Sequence, residues 1–335
     1  MPADAPDTLA ARFAGKRILI TGGLGFIGSN LARRLVSSAA KLVLVDSLIP
    51  EYGGNLFNVA DLRDVVQINI SDVRDVHSMR YLVRGVDYVF NLAGQTSHMD
   101  SMTDPYADLD INCRAQLSIL EACRANNPGA RLVYASTRQI YGRPQYLPVD
   151  EKHPLNPVDV NGINKMAGER YHVLYSDVYG IRSSCLRLTN TYGPGMRVKD
   201  ARQTFLGIWV RLLVQQKPFE VWDGEQLRDF TYVDDVVDAL LAAATTDRAV
   251  GQIFNLGGNE VVSLVDLARL LVETNGGGQF ESKAFPADRK RIDIGDYYSD
   301  YKRAQEILGW TPAVKLSAGL RRTVAYYREH LEKYL

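Results

Sequence analysis

Along the first half of the chain, short apolar runs alternate with stretches whose apolar residues recur at helical spacing. RILIT (17–21), KLVLVD (41–46), VVQINI (65–70), DYVFNLA (87–93) and RLVYAS (131–136) are short apolar runs. Each therefore predicts a strand, RILIT a buried one bounded by glycines. Between them the pattern predicts helices from Ile27 to Val36 and over DLDINCRAQLSILEACRA (108–125). Strand–helix alternation of this kind predicts an α/β fold built on a doubly wound parallel sheet.

The second half is more mixed. CLRLTN (185–190) predicts a further strand, followed by a helix near 203–216, FEVW (219–222) and the run DFTYVDDVVDALLAAATT (229–246). GQIFNLG (251–257), a helix over 263–275, a Gly-rich break and a helix over 300–309 complete the chain. The pattern divides it into a flexible tail (1–15), a large lobe (16–184, with 229–260 returning to it) and a smaller α/β lobe (185–228 and 261–335).

Composition narrows the function classes. The 335 residues are 46% apolar and 23% charged, with 39 Lys+Arg against 39 Asp+Glu. Such a chain has no basic field to recruit nucleic acid. No stretch approaches the about 20 apolar residues of a membrane helix, and the first residues lack a signal-type apolar core. Cys113, Cys123 and Cys185 show no metal-like pairing and read as small apolar residues in a reducing compartment. A cytoplasmic protein with no metal centre, no membrane partner and no nucleic-acid partner is expected.

Candidate chemistry begins at TGGLGFIGSN (21–30), where Gly22, Gly25 and Gly28 stand between a strand and a helix. A tight turn there lets pyrophosphate approach the free N–H groups of a helix N-terminus. A glycine triplet alone is weak evidence, but Asp46 ends the next strand, where a carboxylate binds ribose hydroxyls and repels a 2′-phosphate. NAD is thus expected rather than NADP. Asp72 could reach the adenine edge, and capping a helix explains it equally well.

With these residues in hand, the chain resembles the extended short-chain dehydrogenases/reductases, and within them the NAD-dependent nucleotide-sugar epimerases and dehydratases. The resemblance runs from about Lys16 to the C-terminus through NLAGQTS (91–97), YASTRQIYG (134–142), RLTNTYGP (187–194), RDFTYVDDVV (228–237) and LGWTP (308–312). It implies a Rossmann-type fold with a smaller nucleotide-sugar lobe, and NAD bound by Gly22, Gly25, Phe26, Ile27, Gly28, Asp46, Asp72, Val73, Leu92, Ala93, Gly94 and Lys165. It also implies substrate contacts at Gln95, Thr137, Asn190 and Arg228, with Arg291 as a looser third diphosphate contact. A solvated surface arginine is the mundane alternative for both arginines, and their place in otherwise apolar motifs weakens it more for Arg228 than for Arg291. In that family a tyrosine removes a sugar hydroxyl proton, a serine or threonine bonds the same oxygen, and a lysine holds the nicotinamide ribose. Thr137 and Lys165 match the last two.

The tyrosine is missing. Asn161-Gly-Ile-Asn-Lys165 stands where Tyr-x-x-x-Lys is expected, and an amide can orient a hydroxyl or a water but cannot act as a base near neutral pH. Three readings stay open. His98 or Asp100 in AGQTSHMDS supplies the base, His98 being favoured by its ordinary pKa; Tyr141 supplies a phenol; or the protein binds NAD and ligand without redox chemistry. Arg138-Gln139 follows Thr137 where the family's dehydratases carry an acidic pair, which disfavours elimination chemistry. The expectation is an NAD-dependent nucleotide-sugar epimerase acting at C4. The alternatives are a non-catalytic binder, or a dehydratase or reductase. Resemblance further implies a homodimer through helices 108–125 and 161–178, which carry Leu117, Ile119, Leu120, Met166, Val173 and Leu174.

Overall fold

The computed structural model describes residues 9–202 and 204–335. In chain order its strands are β1 (Arg17–Thr21), β2 (Lys41–Asp46), β3 (Gln67–Ile70), β4 (Tyr88–Asn91), β5 (Arg131–Thr137) and β6 (Arg182–Leu188), then β7 (Asn190–Tyr192), β8 (Phe219–Trp222), β9 (Leu227–Tyr232), β10 (Ile253–Asn255), β11 (Val261–Ser263) and β12 (Phe280–Lys283). Seven of these form one sheet in the order β10-β6-β5-β4-β1-β2-β3, every pair parallel. Ile18, Leu19, Ile20, Val89, Phe90, Leu132 and Val133 are all fully buried, as strands covered on both faces require. The strand order reverses between β1 and β4, and there the carboxyl ends of the strands part to leave a crevice.

One face of the sheet is covered by α1 (Phe26–Val36), the other by α2 (Val76–Leu82) and, past the short α3 (His98–Thr103) and α4 (Pro105–Leu109), by α5 (Ala115–Asn126) and α6 (Val160–Tyr179). The single helix expected over 108–125 is interrupted. A π-helical turn, Asp110–Arg114, separates α4 from α5. Its cause is local: Asn112 Nδ2 reaches Gln95 O (2.9 Å) and Asp108 Oδ2 (3.0 Å), and Gln116 Nε2 takes Ile111 O (3.0 Å). Turns of this kind re-aim side chains and recur at functional sites.

A buried ion pair ties α6 to the sheet. Arg187 on β6 binds Glu169 through both Nη2–Oε1 (2.6 Å) and Nε–Oε2 (2.9 Å), and Ser136 Oγ donates to the same carboxylate (2.7 Å). Both charges are almost fully enclosed, so the pairing geometry has to compensate their desolvation.

The smaller lobe gathers the β11-β9-β7 sheet and the β12-β8 ribbon around α7 (Phe205–Val214), α9 (Leu264–Asn275) and, beyond α10 (Ala287–Lys290), α12 (Leu316–His330). The lobes do not divide where the sequence suggested. β6 pairs with β5 along its whole length from Arg131↔Arg182 to Thr137↔Leu188, so the large lobe runs past 184 to Leu188. The return begins at α8 (Val233–Thr245), which packs on α1, whereas β9 stays in the small sheet. Ala304 of α11 (Lys302–Leu308) and Trp310 also belong to the large core. The expected tail is shorter than 1–15, because Ala10–Phe13 forms a 3-10 turn that buries Phe13 completely against Tyr88. Its first eight residues lie outside the described part.

Candidate active site

Gly22, Gly25, Phe26, Ile27, Gly28, Asp46, Asp72, Val73, Leu92, Ala93 and Gly94 all line the crevice at the switch point, joined by Tyr52. Gly22 adopts φ +66°, and a Cβ on Gly28 would lie 2.2 Å from the Gly22 carbonyl oxygen. Only glycine allows that turn to close so tightly onto the helix. Gly25 caps α1 with no side chain, so the first-turn N–H groups face open space where an anion gains both hydrogen bonds and the helix dipole.

Asp46 ends β2 at the rim. It accepts from Leu24 N (3.2 Å) and Leu48 N (2.9 Å), and burial pushes its carboxyl up against those two donors. Each oxygen keeps a lone pair for a ribose hydroxyl, and the charge repels a 2′-phosphate. Asp72 is held below the usual carboxylate range by its bidentate pairing with Arg74 (Nη2–Oδ2 2.6 Å, Nε–Oδ1 2.9 Å). Capping a helix is not its role: Asp75 does that, accepting from His77 N (2.9 Å) and Ser78 N (3.3 Å).

The crevice deepens toward Thr137, Asn161 and Lys165, with Gln95 and Asn190 on its walls. Thr137 closes β5 and its Oγ1 accepts from Gln139 N (3.2 Å), leaving the hydroxyl proton free to donate. Lys165 sits on α6 one turn beyond Asn161. Its Nζ donates to Ala135 O (3.1 Å) and lies 5.1 Å over the Tyr134 ring. Burial lowers its ammonium pKa to about 8, against the opposing pull of Asp108.

Asn161 is built into a polar network. Its Nδ2 donates to Gln95 O (2.8 Å) and Asp108 Oδ2 (2.9 Å), and both partners are obligate acceptors, which fixes the amide orientation. Oδ1 is then left as an acceptor, on a residue that lines the crevice. Asp108 is fully buried and takes three amides: Asn161, Asn112 (3.0 Å) and Asn164 (2.8 Å). A tyrosine at 161 offers no donor matching Nδ2, so the replacement comes with its own partners.

Among the three readings of the base, geometry separates the candidates. Tyr141 is fully buried; its hydroxyl donates to Asn255 Oδ1 (2.7 Å), accepts from Arg187 Nη1 (2.5 Å), and burial pushes its pKa far up. It is structural. Asp100 is taken by Arg202 (Nε–Oδ2 2.6 Å). His98 lines both the inner crevice and the outer cleft, its side chain 40% exposed, with Nδ1 2.9 Å from Asp159 Oδ2. That contact is out of line for a hydrogen bond. Asp159 caps α6 through Gly162 N (2.6 Å) and takes Gln139 Nε2 (3.1 Å). Burial raises its carboxyl, yet His98 and these donors outweigh burial and hold it below its ordinary value.

Beyond His98 the cleft runs between the lobes to Arg228, Trp222 and Phe285, whose two rings lie 5.7 Å apart. Arg228 is 5% exposed, donates to the carbonyls of Leu227 (2.9 Å) and Gly295, and stands 3.4 Å from Asp293. Burial, then the charge of Arg138, lowers its pKa to about 10. Asn190 Nδ2 donates to Asp229 O (3.0 Å) while its Oδ1 accepts from Arg138. Arg291 does not join them. It is exposed, only its carbonyl is engaged (by Arg143), and Ile292, Asp293 and Ile294 line the cleft in its place.

Sequence reasoning missed Asp108, Asp159, Trp222 and Phe285, and weighed Arg138 only for the carboxylate it replaces. Only the π turn and the approach of α3 to α6 give Asp108 and Asp159 their roles. The aromatic pair comes from a strand end and an irregular segment far apart in the chain.

The NAD dependent epimerase/dehydratase family matches residues 18–257. A Methanocaldococcus jannaschii protein provisionally named UDP-glucose 4-epimerase is 32% identical over 313 residues, 93% of this chain and 99% of the relative. UDP-glucuronic acid decarboxylase 1 of Xenopus tropicalis is 32% identical over 326 residues, covering 95% of this chain and 73% of the relative. The crystal structure of UDP-glucose 4-epimerase from Thermotoga maritima with UDP-glucose superposes with a TM-score of 0.85 at 29% identity, over 94% of this chain and 99% of that one.

Proposed function

The chain belongs to the NAD dependent epimerase/dehydratase family, and from that premise we propose that it epimerises the sugar of a nucleotide-diphosphate sugar at C4, with His98 in the proton-transfer role that family tyrosines fill. NAD held in the crevice supplies reversible hydride acceptance. Gly25 and the first turn of α1 hold its pyrophosphate, Asp46 its adenosine ribose, and Lys165 the nicotinamide ribose while adding positive charge. Trp222 and Phe285 give the nucleoside base an apolar platform, and Asn190 and Arg228 receive the diphosphate.

The observation that carries the proposal is the His98–Asp159 pair at the mouth of the inner crevice. With Nδ1 turned to a buried carboxylate, Nε2 is the nitrogen left to take a proton from the sugar hydroxyl and return it. Thr137 donates to the same oxygen, and Asn161 Oδ1 accepts from a neighbouring hydroxyl of the sugar, orienting the ring. Nothing between Thr137 and Tyr141 offers a carboxylate for elimination, which supports an isomer over a dehydrated product. His98→Ala should remove turnover by more than 100-fold and spare NAD affinity; turnover within threefold of wild type eliminates His98. Asp159→Asn should move the pH profile of kcat/KM as well as lower it.

A homodimer is the second part of the reading. Ile163, Leu174 and Val178 on α6 are 49%, 49% and 60% exposed, and Met102 and Tyr106 extend the apolar surface onto α3 and α4. Ile119 and Leu120 are instead fully buried in the chain's own core. The pairing face is thus α6 with the outer side of α5, where Leu117 lies.

A further inference from the structure

Arg138 has no assigned role, and its surroundings are unusual for a charged side chain. It follows Thr137 directly, opening the 3-10 turn Arg138–Tyr141 at the end of β5. It lines both the inner crevice and the outer cleft, so it stands where the two meet. Its Nη2 donates to Asn190 Oδ1 (2.9 Å), its guanidinium carbon lies 5.1 Å over the Tyr297 ring, and Nη1 is closed off without a partner. Among the described residues no carboxylate comes within ion-pair distance of it.

A half-buried guanidinium is normally matched by a carboxylate, because its charge is costly to desolvate unpaired. Here Arg228 faces the same cleft and is disfavoured by the Arg138 charge, Asp293 is already paired with Arg228, and Asp229 and Asp293 act on Arg138 only from beyond ion-pair distance. Arg202, the third arginine on this wall, is already neutralised by Asp100 (2.6 Å) and Asp200 (2.8 Å). The ring of Tyr297 occupies one face of the Arg138 plane and Asn190 holds Nη2, which leaves the buried Nη1 as the donor still lacking an acceptor. Two like charges held together in a cleft, one of them with no counter-ion, describe a site completed by its ligand.

We propose that Arg138 is the counter-charge for an oxyanion of the substrate, seated between the diphosphate contact Arg228 and the sugar contact Thr137. The oxyanion is either the inner phosphate of the diphosphate or a carboxylate carried by the sugar. The proposal rests on the nucleotide-sugar reading above. It makes residue 138 a determinant of which sugars are accepted, at the position where an acidic residue would serve elimination.

The test uses the NAD-loaded full chain and calorimetric affinities for UDP, CDP, GDP, dTDP, UDP-glucose and UDP-glucuronic acid, with wild type, Arg138→Ala and Arg138→Lys. Loss of about tenfold or more for every diphosphate in Arg138→Ala places the phosphate on Arg138. A loss confined to UDP-glucuronic acid places a sugar carboxylate there. Arg138→Lys should recover part of either loss, since it keeps the charge without the fork. Unchanged NAD affinity certifies that the variants are folded. Arg138→Ala binding all six ligands within twofold of wild type overturns the proposal while leaving the nucleotide-sugar reading intact. Wild type binding none of the six overturns that reading and the proposal with it.

Discussion

Replacing Lys165 with methionine should make the NAD-free protein more stable while disabling it. Lys165 is 6% exposed and its pKa falls from 10.5 to about 8, chiefly through burial. At ~1.4 kcal/mol per pH unit this is about 3 kcal/mol of strain in the charged form. Methionine fills a similar volume, but it leaves the Ala135 carbonyl without the Nζ donor, a loss of about 1 kcal/mol. The net expectation is a gain of about 2 kcal/mol near neutral pH, or roughly 3 °C in Tm for a chain of this length. The folded protein releases the proton near pH 8 and the unfolded chain near 10.5, so the strain is fully present below pH 8. As pH rises from 8 to 10.5 the unfolded chain binds the extra proton, wild type gains relative stability, and the gap to the variant closes. Urea unfolding of both proteins, stripped of NAD, at pH 7 and pH 9.5 measures it. A variant no more stable than wild type at pH 7, or a gap that widens with pH, refutes the account of Lys165 as a charge held in the crevice against its solvation.

Gly28→Ala should cost at least tenfold in NAD affinity, read by fluorescence titration, because the new Cβ would lie 2.2 Å from the Gly22 oxygen and must open the loop. Glu169→Gln should destabilise the fold by about 3–5 kcal/mol in denaturant unfolding, since it strands the buried Arg187 charge. Leu174→Asp should yield a monomer in sedimentation velocity if α6 forms the proposed pairing face; an unchanged sedimentation coefficient would reject that face. Asn161→Tyr should not restore a family-like site: turnover by coupled assay should fall below wild type, because Asp108 and Gln95 lose the Nδ2 donor.

The cofactor crevice was legible in the sequence because its chemistry is local. Gly22, Gly25 and Gly28 act through backbone geometry, and Asp46 sits at a spacing set by one βαβ unit. The inner site was only half legible. Thr137 and Lys165 lie in recognisable segments, yet Asn161 acquires meaning only from Asp108, and Asp108 reaches it through a π turn that periodicity cannot show. His98 could be named from the loop it occupies, whereas its carboxylate partner Asp159 is sixty-one residues away and reads as a helix cap, which it also is. Arg291 illustrates the opposite failure: an arginine near the cleft in sequence that stands exposed outside it, while Ile292, Asp293 and Ile294 line the wall.

The most direct measurement is proton NMR of UDP-, CDP-, GDP- and dTDP-hexoses incubated with the protein and NAD. The account predicts that one donor gives a new anomeric signal at unchanged mass, with the inversion at C4, and that the His98→Ala protein with the same bound NAD does not. A product of lower mass, or no new signal from any donor with NAD bound, would contradict an epimerase built around Asn161 and His98.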